Sequence, residues 1–193
     1  MSTLPKARLT EEEYLEIERK AEFKSEFYDG EMFAMAGARE AHNLIVTNLV
    51  RELSQLFRSR PCRVYSNDMR VRVSPKRNYT YPDVVVICGE PHFLDQQRDT
   101  LLNPTLIVEV LSKSTEMYDR GKKFWEYRRI DSLSDYLLIG SELVSAELFS
   151  RAPDGRWVLT AADTLDATIE IPSIACTLRL ADLYEKVEFP EAG

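Results

Sequence analysis

Tyr81-Pro82-Asp83-Val84-Val85-Val86-Ile87 and Leu106-Ile107-Val108-Glu109-Val110-Leu111 decide the fold, and Asp119-Arg120-Gly121-Lys122-Lys123-Phe124 follows them. Each of the first two stretches sets one acid beside a run of β-branched and other apolar residues long enough for a buried strand. An ionised carboxylate in such a place is costly unless it is partnered. If the two strands pair antiparallel, the start of one faces the end of the other, and Asp83 and Glu109 fall side by side at one edge. A divalent cation between them would offset the cost, and an all-oxygen donor pair suits Mg2+. A metal so placed polarises a phosphoryl oxygen and lowers the pKa of a bound water. A nearby ammonium then orients that water or offsets the charge developing in the transition state. Lys123 is the candidate. Helical spacing puts it on one face with Tyr127 and turns Lys122 about 100° away.

Outward from these strands the chain reads as alternating elements. Thr10-Glu11-Glu12-Glu13 has the form of a capping box opening a helix through about Lys20. Asp29-Gly30 predicts a hairpin between strands Phe23–Tyr28 and Glu31–Ala36. Leu44, Ile45, Leu49, Val50, Leu53, Leu56 and Phe57 recur at helical spacing from Glu40 to about Arg58, the longest helix, stopped by Pro61. Arg63–Val73 reads as one strand, with Arg70 and Arg72 on a common face. Ser74–Asn78 reads as a turn, Tyr81–Cys88 as a buried strand, Gly89–Asn103 as a polar loop and Thr105–Leu111 as a second buried strand. A helix from Asp119 to about Ile130 follows, then strands near Asp135–Ile139, Ala146–Ser150 and Trp157–Leu159, the last two joined at Asp154-Gly155. With no repeat or linker, residues 1–193 read as one α/β domain.

The composition narrows the class. At 44% hydrophobic and 30% charged, the chain suits a soluble globular protein rather than a disordered one. No apolar run approaches the roughly 18 residues of a membrane span, and Met1–Arg8 lacks a signal-peptide core. The expected compartment is the cytoplasm. Cys62, Cys88 and Cys176 are odd in number and far apart, which indicates neither a disulfide nor a zinc site. Cys88 and Cys176 are expected to be small core residues. A net charge of −7 argues against a protein that coats nucleic acid, but leaves room for a local basic patch. Two clusters flank the acidic strands: Arg70, Arg72, Lys76 and Arg77; and Lys113, Arg120, Lys122, Lys123, Arg128 and Arg129.

At these residues the chain resembles the PD-(D/E)xK nuclease superfamily, and within it the Uma family of restriction-endonuclease-like proteins. The resemblance runs from Leu9 to about Phe189. It is carried by Glu26-Phe27-Tyr28-Asp29-Gly30-Glu31, His42-Asn43-Leu44-Ile45, Pro82-Asp83-Val84-Val85-Val86 and Glu109-Val110-Leu111-Ser112, then by Asp119–Phe124 with Tyr127 and by Ser132–Leu138. It implies a three-layer fold, a mixed central sheet flanked by helices, with an N-terminal helix and hairpin. It also implies a metal-dependent endonuclease acting on DNA, with Asp83 and Glu109 as ligands of Mg2+ or Mn2+. The superfamily's lysine usually lies two residues after the second acid, where this chain has Leu111. In Uma-like proteins it has moved to the next helix, pointing to Lys123, with Lys122 and Lys113 as neighbouring alternatives. Glu26 matches an acid from an early element that holds a second metal or orients the lysine. His42 is expected to point toward the sheet and to support the site or touch substrate. Analogy with restriction-type folds suggests a homodimer. Two other readings remain: a catalytically silent binding or assembly module on the same fold, and a metal-dependent enzyme with another substrate. The ring pair Trp125 and Tyr127 is expected in the core, base stacking being the alternative.

Overall fold

The computed structural model describes residues 8–73, 78–113 and 115–189. Its centre is a six-stranded sheet in the order β11-β10-β9-β8-β6-β3. The strands are β3 (Cys62–Ser66), β6 (Val84–Cys88), β8 (Leu106–Leu111), β9 (Asp135–Gly140), β10 (Ala146–Arg151) and β11 (Trp157–Ala162). β8 and β9 run parallel and every other neighbouring pair antiparallel, so the sheet is mixed.

Because side chains alternate along a strand, β6 and β8 feed two different cores. Val84, Val86, Leu106, Val108 and Val110 pack with Ile45, Val46, Leu49 and Leu53 of α2 (Glu40–Leu56). The same cluster takes in the hairpin β12 (Thr168–Ile171) and β13 (Cys176–Arg179) and the short helix α5 (Leu180–Leu183), none of which the sequence reading found. Val85, Ile87, Ile107 and Leu111 face the other way. They pack with Tyr127, Ile130 and Leu133, and with Val71, Val73 and Leu101 of a second sheet.

That five-stranded sheet has the order β2-β1-β5-β4-β7. It contains β1 (Ser25–Tyr28), β2 (Glu31–Ala34), β4 (Arg70–Val73), β5 (Asn78–Thr80) and β7 (Thr100–Leu101). The β1–β2 turn uses Asp29 at φ 50° and Gly30 at φ 86°, two positive values that match the right-handed twist of a tight hairpin. Helix α1 (Glu11–Glu18) carries both halves of its capping box. Among the described residues no helix is long and apolar enough to cross a membrane.

Several elements differ from the sequence reading. Arg63–Val73 is two strands in two sheets, divided by a turn in which Met69 N–H donates to the Ser66 carbonyl. Tyr81–Cys88 begins its strand only at Val84, since Pro82 has no N–H to give a ladder. The Gly89–Asn103 loop contains β7. Most of the turn at Ser74–Asn78 lies outside the described residues, together with Lys76 and Arg77, and so does most of the Met1–Arg8 stretch. Cys62 and Cys88 are register partners on β3 and β6 and form a disulfide, contrary to the expectation from their spacing. Cys176 is free and buried. Arg70 is no surface cation either. It is 2% exposed, ringed by Tyr14, Tyr79 and Tyr81, and paired with Asp99.

Candidate active site

The antiparallel register of β6 and β8 pairs Val84 with Val108 and Val85 with Ile107. One further step places Asp83 across from Glu109. Asp83 stands where the strand has not yet begun, so its carboxylate is free to bend back: Oδ2 accepts the Val110 N–H at 2.8 Å. The same oxygen lies 3.1 Å from Nε2 of His42, in the first turn of α2. The partner is a carboxylate, so Nε2 is the donor to it, and the buried Nδ1 has no hydrogen-bond partner among the described residues. Asp83 is thereby fixed by one backbone and one side-chain donor.

Glu109 points away from the α2 core, on the face of β8 that carries Ile107 and Leu111, and is 3% exposed. Its Oε1 accepts from Lys123 Nζ at 2.9 Å and from the Tyr127 hydroxyl at 2.9 Å. Tyr127 is also 3.0 Å from Thr80 Oγ1. Having one proton, it gives that proton to the stronger acceptor, the carboxylate, and receives the threonine's.

The lysine comes from a segment predicted as one α-helix. It is instead a turn of α3 (Glu116–Tyr118), a π turn over Asp119–Lys123, and α4 (Phe124–Tyr127). Steps of four along an α-helix drift around its axis, and the wider π turn offsets that drift, so Asp119, Lys123 and Tyr127 all point inward. π turns of this kind recur at functional sites. Lys123 Nζ lies 3.2 Å from Glu26 Oε1 on β1 and 3.5 Å from Asp119 Oδ1, as well as against Glu109. Lys122 faces outward with its ammonium over the Tyr28 ring, and Lys113 is exposed. The five sequence candidates therefore meet as two linked groups: His42 with Asp83, and Lys123 with Glu26 and Glu109. Asp119 was missed as a site residue, although its spacing of four from Lys123 was a usable signal.

The charges here do not balance. Glu109, Asp119 and Glu26 gather about one ammonium, and Asp83 adds its charge to Glu109 and Asp119. Burial pushes the Glu109 carboxyl well above the ordinary range, the charges of Asp119 and Asp83 push the same way, and Lys123 opposes them. Asp119 is raised for the same leading reason. Burial alone would lower Lys123, but Glu109, Glu26 and Asp119 outweigh it and hold the amine well above its usual value. A cluster this short of positive charge retains a proton or takes up a cation. Among the described residues no three His, Cys, Asp or Glu side chains form a ready metal cage. Mg2+, however, is commonly held by one or two carboxylates and several waters. Asp83 Oδ1 and Glu109 Oε2 are hard donors with no hydrogen bond among the described residues. The donor chemistry fits such an ion.

Comparison with known proteins bears on this arrangement. The family Uma2, described as "putative restriction endonuclease", matches residues 11–181. Protein sll1609 of Synechocystis sp. (strain ATCC 27184 / PCC 6803 / Kazusa) is 40% identical over 162 residues, covering 84% of this chain and 92% of its own length. Protein slr1290 of the same organism is 34% identical over 185 residues, 96% of each chain. A crystal structure from Anabaena variabilis, described as a "putative nuclease belonging to DUF820", superposes with a TM-score of 0.76 at 18% identity, covering 91% of this chain and 97% of that one. At that identity the likeness is one of fold.

Proposed function

This chain belongs to the Uma2 family, and on that footing we propose that it is a metal-dependent endonuclease hydrolysing DNA phosphodiester bonds in the cytoplasm. The observation that carries the reading is the buried Lys123 ammonium among Glu26, Glu109 and Asp119, with Asp83 across the strand pair from Glu109. Asp83 and Glu109 would hold Mg2+ or Mn2+. Bound there, the ion would polarise a phosphoryl oxygen and lower the pKa of a water.

The chain's own groups do the rest. Val110 N–H and His42 hold one oxygen of Asp83 and so aim the other. Tyr127 does the same for Glu109. Lys123 is held by Glu26 and Asp119 when Glu109 is otherwise engaged. It then donates to the attacking water or to the phosphoryl oxygens, where negative charge grows. The water oxygen bonds phosphorus as the ester P–O bond breaks; the water gives up one proton to solvent and the leaving oxygen takes one from solvent, so that water is added across the ester bond. A homodimer would set two such sites against the two strands of a duplex.

The test is cleavage of supercoiled plasmid and of single-stranded DNA with Mg2+ or Mn2+. Asp83→Ala should abolish cutting, as chelator should, while His42→Ala should slow it by about 10- to 100-fold through loss of aim at Asp83. Cutting retained by Asp83→Ala sinks the site assignment. No cutting by the wild type, together with no metal stabilisation that depends on Glu109, supports the catalytically silent module instead.

A further inference from the structure

Tyr127 is fully buried, but Trp125, two residues earlier, is 50% exposed. A separation of two turns a helical side chain by about 200°, so the residue opposite the catalytic face points to solvent. This is where the core-packing expectation for the ring pair divides: it holds for Tyr127 and not for Trp125. The indole is also not alone. The Arg128 guanidinium lies 3.4 Å from its ring centroid and that of Arg129 at 5.5 Å.

Lys122, three residues before Trp125 and likewise exposed, extends this solvent side toward β1. Glu26 and Tyr28 share one face of β1; Glu26 meets Lys123, while the Tyr28 hydroxyl donates to Glu126 at 3.1 Å. Lys122 Nζ sits 3.4 Å over the Tyr28 ring, and Arg129 pairs with the buried Glu126 at 3.5 Å. Lys122, Arg128 and Arg129 line this strip of a chain whose net charge is −7, while Glu126 is met by Arg129 and Tyr28, and Glu26 by Lys123. Aromatic rings interleaved with cations are what a single nucleic-acid strand requires: faces for bases and charges for phosphates.

We infer that this strip, Lys122–Tyr28–Trp125–Arg128, is the track along which a single-stranded or locally unpaired DNA segment enters the site, with Trp125 stacking on a base. The inference rests on the proposed nuclease reading but is read out without cleavage. Full-length protein in chelator is titrated against a fluorescein-labelled single-stranded oligonucleotide and, separately, its duplex, following anisotropy and tryptophan emission. The single strand should bind more tightly than the duplex. Trp125→Ala should weaken its binding about 5- to 100-fold, Trp125→Phe should restore most of it, and thermal unfolding should be unchanged in both. Lys122→Gln should lower the slope of log affinity against log salt by about 0.7.

Equal affinity of Trp125→Ala and wild type overturns the proposal, as does no binding at all, which would leave the strip to an acidic protein surface. Wild-type cleavage with a neutral Trp125→Ala refutes the track and leaves the nuclease. Trp125-dependent binding without cleavage keeps the track and refutes the nuclease.

Discussion

Lys123 keeps its charge with only 9% of its side chain exposed, and it does so because three carboxylates stand within 3.5 Å. Such an arrangement is poor evidence of stability in itself, since desolvation offsets much of the attraction, but breaking it from one side is severe. In chelator, Lys123→Ala should therefore lose about 3–5 kcal/mol in denaturant unfolding, because the acids are left facing one another. Adding Glu109→Gln should recover part of that loss, a coupling that a double-mutant cycle resolves. Additive losses would mean that Lys123 and Glu109 do not act as a pair. The sequence held much of this site. Asp83 and Glu109 stood out because acids break apolar runs, and Lys123 because a spacing of four from Tyr127 defines one helical face. Asp119 was legible by the same spacing. His42 was legible only as a direction, because its partner lies 41 residues away.

At the scale of elements, local period served well, and pairing was legible only for the β1–β2 hairpin and for β6 against β8. The hairpin at Asp29-Gly30, the capping box at Thr10 and the long helix α2 are all local statements, and each forms. The split at Ser66–Met69 and the π turn were invisible, since both depend on which sheet or face receives the chain. So was the Cys62–Cys88 disulfide. Spacing along the chain says nothing about two cysteines that become neighbours only through strand register, here across 26 residues. The bond staples the edge strand β3 to β6, the strand that Asp83 precedes. By loop-closure entropy it should contribute about 3 kcal/mol. Reduction with a thiol, or Cys62→Ser, should destabilise by that amount in denaturant unfolding, with a somewhat steeper slope because the released unfolded chain exposes more surface. No shift on reduction would mean that the bond adds nothing to stability. In a reducing compartment the pair would stand as the dithiol, and the less stable form would then be the working one.

Across the whole molecule, the second sheet is joined to the first helix by charge as well as by apolar contact. Asp99 receives Arg19 at 2.8 Å and Arg70 at 3.0 Å, linking the end of α1 to β4 and to the loop before β7. Arg70 also donates to Thr100 Oγ1, and its guanidinium lies against the Tyr14, Tyr79 and Tyr81 rings. The sequence concealed this because an arginine is seldom interior, and alternation alone put Arg70 with Arg72 on a common face. The linkage has a definite sign. Burial works against the Asp99 charge, but the hydrogen bond from Arg19 and the charge of Arg70 prevail and bring its pKa from 3.8 down to about 2. A carboxyl depressed in the folded state adds stability above its unfolded value, and loses that contribution as protons return. Asp99→Asn should therefore be about 1–2 kcal/mol less stable than wild type at pH 7, the effect being reduced because the carboxylate is a third exposed. The gap should close as pH falls from 3.8 to about 2. Denaturant unfolding of both proteins across that range measures it, and a gap that stays constant with pH would show that the Asp99 charge does not hold the sheet to the helix.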